Sequence, residues 1–259
     1  MYSLEREELV QPSYTWLWSL LGFQAGYINT FGLLACGKYV SHITGFGTQI
    51  GNALFLRDFE MAFQLLVFPL AFIFGAFFSS FFTSARIERS KRPLYSFIAL
   101  LLPCVLSVLI FMGLRGVFGP FGDETILGRD FALLLGLAFV SGAQNGCFAV
   151  MTRGAIRTTH LTGLGTDFGT DLARLWFGKL EAEERRLTQM ANRARLSILF
   201  AFAFGAVIAA LSSHQFGYSA LILPALTSLM VFFLILKVQR FLTVRHRRQT
   251  PLDARLAHH

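Results

Sequence analysis

The chain has 259 residues, of which 54% are hydrophobic and only 15% charged, with 29 phenylalanines, a mean hydropathy of +0.55 and a net charge of +8. A soluble core of this size needs far less apolar surface, so the composition excludes an ordinary soluble enzyme and points to a membrane protein. The positive charge suits anionic lipid headgroups at one face, and a nucleic-acid partner is set aside because no soluble domain is there to carry it.

The first 13 residues, MYSLEREELVQPS, are mixed in charge, and no small-residue cleavage site follows a short apolar core. They read as a cytoplasmic segment before an uncleaved first span. Six apolar stretches follow, at Tyr14–Cys36, Met61–Thr83, Leu94–Leu114, Phe131–Met151, Leu196–Leu211 and Tyr218–Lys237. A bilayer core of about 30 Å takes roughly 20 helical residues, which all but the fifth supply. Lipid cannot satisfy free backbone groups and the runs lack barrel alternation, so the predicted fold class is all-α, a polytopic bundle of six transmembrane helices. Pro69, Pro103 and Pro224 fall inside spans and predict kinks. Cys36, Cys104 and Cys147 have no metal spacing and read as packing residues.

Two segments between spans nearly repeat each other, SHITGFGTQIGNAL from Ser41 and THLTGLGTDFGTDL from Thr159. The echo extends to Gly26 and Asn29 against Gly142 and Asn145, to LAFIFGAF from Leu70 against FAFAFGAV from Phe200, and to ALLLPCVLSVLIF from Ala99 against ALILPALTSLMVF from Ala220. The chain therefore divides into residues 1–13, a first three-span repeat 14–118, a periplasmic linker 119–127, a second repeat 128–241 and a basic cytoplasmic tail 242–259. Three spans per half is an odd number, so the second copy enters from the opposite face and the repeat is inverted. Arg86, Arg89, Lys91, Arg92, the stretch Arg174 to Arg195 and the tail then share one side, which predicts both termini in the cytoplasm.

Each repeated segment opens with polar, Gly-containing sequence and continues as a stretch too short to span, about Gly45–Leu56 and Gly163–Phe177, the pattern of a re-entrant half-helix. Thr44 and Thr162 suit the N-cap, and Gly45, Gly47, Gly163 and Gly165 leave first-turn amides open to a ligand. Two such helix starts meeting at the midplane favour an anion. Candidate solute-binding residues are His42, Thr44, Gly45, Gly47, Thr48, His160, Thr162, Gly163, Gly165, Thr166, Asn29 and Asn145. His42 and His160 are repeat mates, and buried imidazole can move protons or hold an anion, against capping or packing as the plainer role. Asp167 answers Gln49, so a titratable carboxylate sits on one side only, and Asp167 with His160 is the proton-coupling pair the sequence offers. Asp171 and Arg174 read as a partly solvated pair three residues apart. Asn29, Asn145 and Gln144 place amides inside spans, as helix glue or as solute ligands. Gly22 and Gly26 form a small-residue helix contact, and GKLEAEERRLTQMANRAR from Gly178 reads as a charged cytoplasmic helix with Glu181 and Arg185 at a favourable spacing.

AGYINTFG from Ala25, SHITG from Ser41, GAQNGCFAV from Gly142 and RTTHLTGLGTDFG from Arg157 resemble the YoaK-type family of six-span bacterial inner-membrane proteins. The resemblance covers about Tyr14 to Phe241 and implies an inner-membrane protein supposed to be a transporter. The chain departs from the family pattern at Asn29, where an acid is common, and at Phe46, where Asn is common. The resulting expectation is a secondary transporter of a small solute, anionic by preference and proton-coupled, with no cofactor, metal or catalytic residue. The alternatives are a channel, a structural or sensory membrane protein, and an intramembrane enzyme, the last disfavoured because H-E-x-x-H and G-x-S-x-G are both missing.

Overall fold

Proline at the first turn and glycine just past the last delimit the longest element of the first repeat, helix α2, Pro12–Cys36. Pro12 loses no hydrogen bond there, and Gly37 takes the left-handed φ of 62° that returns its N–H to Leu33. A computed structural model describes residues 3–122, 130–154 and 161–256, so His160 lies outside the described residues, as do Arg157 and Thr159. Around α2 the chain runs as α1 (Arg6–Leu9), α3 (Ile43–Phe55), α4 (Phe59–Phe82), α5 (Ser84–Glu88), α6 (Tyr95–Leu114), α7 (Phe131–Met151), α8 (Leu161–Phe177), α9 (Ala182–Phe216), a 3-10 turn (Gly217–Leu221) and α10 (Ile222–Leu256). The described residues contain no strand.

Among the described residues, four stretches are long and apolar enough to cross a membrane: Phe59–Glu88, Tyr95–Leu114, Phe131–Met151 and Ala182–His246. The last holds both α9 and α10. Helix α2 forms where the first span was predicted but stands outside that set, with Ser19, Gln24, Asn29 and Thr30 among its residues. Phe63, Phe77, Phe200 and Phe204 are each more than half exposed on the flanks, which suits lipid rather than water. The chain is a multi-pass helical membrane protein.

Two expectations need correction. The fifth span is not a short helix joined to a separate charged one: α9 is a single helix of 35 residues, because Gly205 is the first glycine or proline after Ala182. Glu181 stands at its N-cap and its carbonyl accepts from Arg185 N, while the neighbouring acids Glu183 and Glu184 make the ion pairs, with Arg186 and Arg174. Pro224 lies within the apolar stretch Ala182–His246 as expected, but as the third residue of α10 it stands in the first turn rather than kinking a helix interior. Its missing N–H frees the carbonyl of Ala220, which accepts from the Tyr27 hydroxyl at 2.7 Å.

Direction follows from the contacts. The Trp18 ring meets Phe148 at 6.2 Å, and Cys36 Sγ lies 4.0 Å from the carbonyl of Asp130, so α2 and α7 run antiparallel. We call the end where α2 begins the near end and the end where it finishes the far end. The near end is filled by Leu4, Leu9, Trp18, Tyr95, Met151, Leu164 and Leu242, and the far end by Tyr27, Phe31, Phe46, Phe68, Leu134 and Tyr218.

The principal helix pairs are α2 with α9, α4 with α7 and α6 with α10. Glycine sets the first two. A Cβ on Gly26 would overlap the carbonyl oxygen of Phe202, and one on Gly205 that of Phe23, which welds α2 to α9 backbone against backbone. Gly142 meets the carbonyl of Phe72, and Gly75 that of Phe139, in the same way between α7 and α4. These are the repeat mates read from the sequence, so each weld joins a helix of one half to a helix of the other. Gly22, with a Cβ position 2.9 Å from the carbonyl of Ile198, extends the first weld. Gly26→Ala and Gly142→Ala are each expected to cost about 2 kcal/mol of stability through overpacking. Gly47→Ala, whose Cβ would meet nothing within 4 Å, is the neutral control in thermal unfolding of the detergent-solubilised protein.

Candidate functional site

The chain leaves α2 at Cys36 and folds back, because Asn29 reaches the returning turn. Its Oδ1 accepts from Val40 N at 3.0 Å, Ser41 N at 3.1 Å and Ser41 Oγ at 3.3 Å. Asn29 stands about seven residues before the end of α2, so the turn is held roughly 10 Å inside the far end. In this structure Asn29 is an anchor for the start of α3, a role that its amide spacing alone did not reveal. Its mate Asn145 holds the corresponding place on α7 and is half-buried.

His42 is the N-cap of α3, and its carbonyl accepts from Gly45 N at 2.9 Å. The predicted cap, Thr44, lies inside the helix, as does Thr162 in α8. The imidazole turns over Gly45, where a Cβ would stand 2.7 Å from Nδ1, and meets the Tyr39 ring edge-on at 5.7 Å. A Cβ at 45 would push the ring aside, and His42 is exposed rather than the buried imidazole the sequence suggested. Tyr39, His42, Gly45, Phe46 and Gln49 border a shallow, half-open space of about 10 Å³, close to the room one water needs. The buried Gln49 Oε1 has no hydrogen-bond partner among the described residues.

Thr44, Gly47 and Thr48 are exposed along one side of α3, and Thr162, Gly163, Gly165, Thr166 and Asp167 along the matching side of α8. Thr48 and Thr166 both donate to the carbonyl four residues back, at 3.2 and 2.9 Å. The structure does not bring the two short helices together. Helix α3 rests on α4, α8 rests on α9, Phe46 and Leu164 enter different core clusters, and no hydrogen bond or ion pair joins α3 to α8 among the described residues. The midplane meeting of two helix starts is thus not the arrangement seen, because each helix spends its apolar face on its own neighbour.

The residues that hold these helices down differ between the halves. Phe46, Ile50 and Ala53 of α3 correspond to Leu164, Phe168 and Asp171 of α8, and Ala62 and Leu65 of α4 to Asn192 and Arg195 of α9. In the first half the seat is apolar, with Ala53, Ala62 and Leu65 all buried. In the second it is ionic. Arg195 donates to Asp171 Oδ2 at 2.7 Å and to Asn192 Oδ1 at 2.8 Å, Arg174 donates to Asp171 Oδ1 at 3.1 Å and also to Glu184, and Asn192 donates to the carbonyl of Phe168 at 3.4 Å. Asp167 is 3.9 Å from Arg195, with its side chain 59% exposed. The Asp171–Arg174 pair predicted from spacing therefore forms, but Asp171 is 7% exposed rather than partly solvated. Arg195, its nearest partner, was hidden in the sequence because its repeat mate is a leucine.

Gln24, also unread from the sequence, is fully buried and ties α2 to α10 through Thr227 Oγ1 at 2.9 Å and Ser228 Oγ at 3.0 Å. Among the described residues no group of three His, Cys, Asp or Glu is placed to hold a metal.

Removing one partner of a buried pair strands the other, whereas replacing both with apolar groups does not. Asp171→Ala and Arg195→Leu are each expected to cost about 3 kcal/mol. The double variant, which installs the pair found in the first half, is expected to be more stable than either single variant, as read by a thermal-unfolding double-mutant cycle.

A family model described as protein of unknown function (DUF1275) matches residues 17–234. This is the YoaK-type family that the motifs resemble. No curated protein and no solved structure matches the chain.

Proposed function

The chain belongs to this family of unknown function, DUF1275, and we propose that it is a secondary transporter of a small solute, built from two inverted three-span repeats. The observation that carries this reading is the crossed pairing. The glycine welds make two units, α2–α9 carrying α8 and α4–α7 carrying α3, each mixing both halves. Such units are suited to rock against each other across the α2–α7 contact, with α6 and α10 as the frame. The opposite directions of α2 and α7, and the return of the chain to Asn29, support the inverted and re-entrant reading.

In this mechanism α3 and α8 serve as gates at the far and near ends. The solute route runs along α2 and α7, past Asn29 and Asn145, towards the exposed Thr-Gly faces at Thr44, Gly47, Thr48, Thr162, Gly165 and Thr166. Asp167 is the one carboxylate on those faces, 3.9 Å from Arg195, and is the group we assign to proton coupling, with His160 as its partner. An anionic solute would compete with Asp167 and Asp171 for Arg195. The protein makes and breaks no covalent bond in this account. Arg86, Arg89, Lys91, Arg92, Arg174 and Arg240 crowd the near end, which we assign to the cytoplasmic face of a bacterial inner membrane, against anionic headgroups.

The narrow space at His42 favours a second reading, a structural or sensory membrane protein that moves nothing. Proteoliposome flux separates the two. With a panel of inorganic anions, carboxylates, amino acids and sugars, the transport reading expects saturable uptake of at least one class, reduced several-fold by Asp167→Asn. Reconstituted protein that moves none of them, or an Asp167→Asn variant as active as the parent, contradicts it.

A further inference from the structure

The sixteen-residue margin before the family match is not an idle tail in its described part. Residues 3–11 fold under the near end as a strap. Leu4 and Leu9 are 1% and 3% exposed, packed in the cluster that holds Trp18, Tyr95, Met151 and Leu242. Glu5 and Glu8 close the single turn of α1 by a reciprocal capping box. Four helices fasten the strap from outside it. Leu4 N donates to the carbonyl of Met151 at 3.0 Å, at the end of α7, and just past it Arg153 Nε donates to Ser3 Oγ at 2.8 Å. The Trp18 indole on α2 donates to the carbonyl of Leu9 at 3.0 Å. On α10, Arg245 donates to Glu8 Oε1 and to the carbonyl of Ser3, both at 2.7 Å, and lies 3.9 Å from Glu5. Tyr95 at the start of α6 completes the apolar floor. Arg245 lies beyond the other edge of the family match, so strap and fastener both lie outside the shared 17–234.

Among the described residues, the far end has a cavity in the corresponding place. There Cys36, Lys38, Phe68, Asp130 and Leu134 border a cavity of about 120 Å³. Under the pairing that sets Gly26 against Gly142, Leu134 corresponds to Trp18, and Cys36 and Gly37 to Thr152 and Arg153. The near-end counterpart of the cavity wall is the set of residues that bind or adjoin the strap.

We propose that the N-terminal strap is a built-in plug, occupying at the near end the counterpart of the far-end cavity, with Arg245 as its catch. This rests on the inverted-repeat transporter reading. A solute reaching the near end must wait for the strap to leave, so the chain gates itself with a segment outside the family-matched stretch. Weakening the charge-assisted bonds at Arg245 shifts the balance towards the open form.

Cys147 is a native reporter, since it is 1% exposed in the same cluster, one helical turn from Met151. In a Cys36→Ser, Cys104→Ser chain in lipid nanodiscs, a small maleimide should label Cys147 slowly. Deleting residues 2–11, or the milder Arg245→Gln, should raise the rate about tenfold, the order expected when hydrogen bonds to a charged group are lost. In a chain that keeps only Cys36, the same changes should leave labelling at the far end unaltered. Equal Cys147 rates in folded parent and variant overturn the proposal, and so does a rise at both cysteines, which would mean general loosening. If the deletion fails to fold, Arg245→Gln decides, because it leaves Leu4 and Leu9 in place. Labelling needs no solute, so a chain that moves nothing in the flux assay can still pass or fail this test.

Discussion

Close approach of helix backbones at four glycines is the constraint on which this architecture depends. Lipid is as apolar as leucine, so helices in a membrane gain little by merely hiding hydrophobic surface from one another. Association rests on dispersion contacts, and those are densest where no Cβ holds the backbones apart. Gly26 and Gly205 supply this between α2 and α9, and Gly142 and Gly75 between α7 and α4. Because each glycine faces a carbonyl belonging to the other half, neither half is a self-contained bundle. The contacts group the helices into the welded pairs, with α3 resting on α4 and α8 on α9.

On this matched frame the chain has placed unmatched chemistry. The seat of α3 is apolar, through Ala53, Ala62 and Leu65, while the seat of α8 is a network of Asp171, Arg174, Asn192 and Arg195. Apolar packing inside a membrane has no charge to exchange with a solute. A buried ion pair does, since any competing ion or proton changes its balance. The near end also carries the strap, and among the described residues the far end borders a cavity. The sequence echo accounts for the matched positions, and under the proposed transport reading these differences would give the two ends separate roles.

Much of the frame was legible in the sequence because glycine and polar residues stand out against a phenylalanine-rich background. Gly26 and Gly142, Gly75 and Gly205, and the two Thr-Gly segments align by eye, and the short helices form within a few residues of their predicted limits. Partners separated in sequence were harder to read. Arg195 is 24 residues from Asp171 and its repeat mate is Leu65, so neither local spacing nor the internal repeat pointed to it. Asn29 looked like a solute ligand because an amide in a span is costly, but that cost is offset by the backbone of its own turn. The joint between the charged segment after Gly178 and the following span was misjudged from composition, although helix propensity runs unbroken through both. Leu4 and Leu9 gave no signal at all, as two leucines in a charged leader carry no periodicity.

The central claim is that two copies of one fold face opposite sides of a membrane and are locked together across the halves. Single cysteines at Gly47 and Gly165 address it most directly, because both positions are exposed and have nothing within 4 Å of an added Cβ. With a membrane-impermeant thiol reagent applied to intact and then to inverted vesicles, the account predicts that Gly47→Cys reacts from one face only and Gly165→Cys from the other only. Labelling of both from the same face would contradict it.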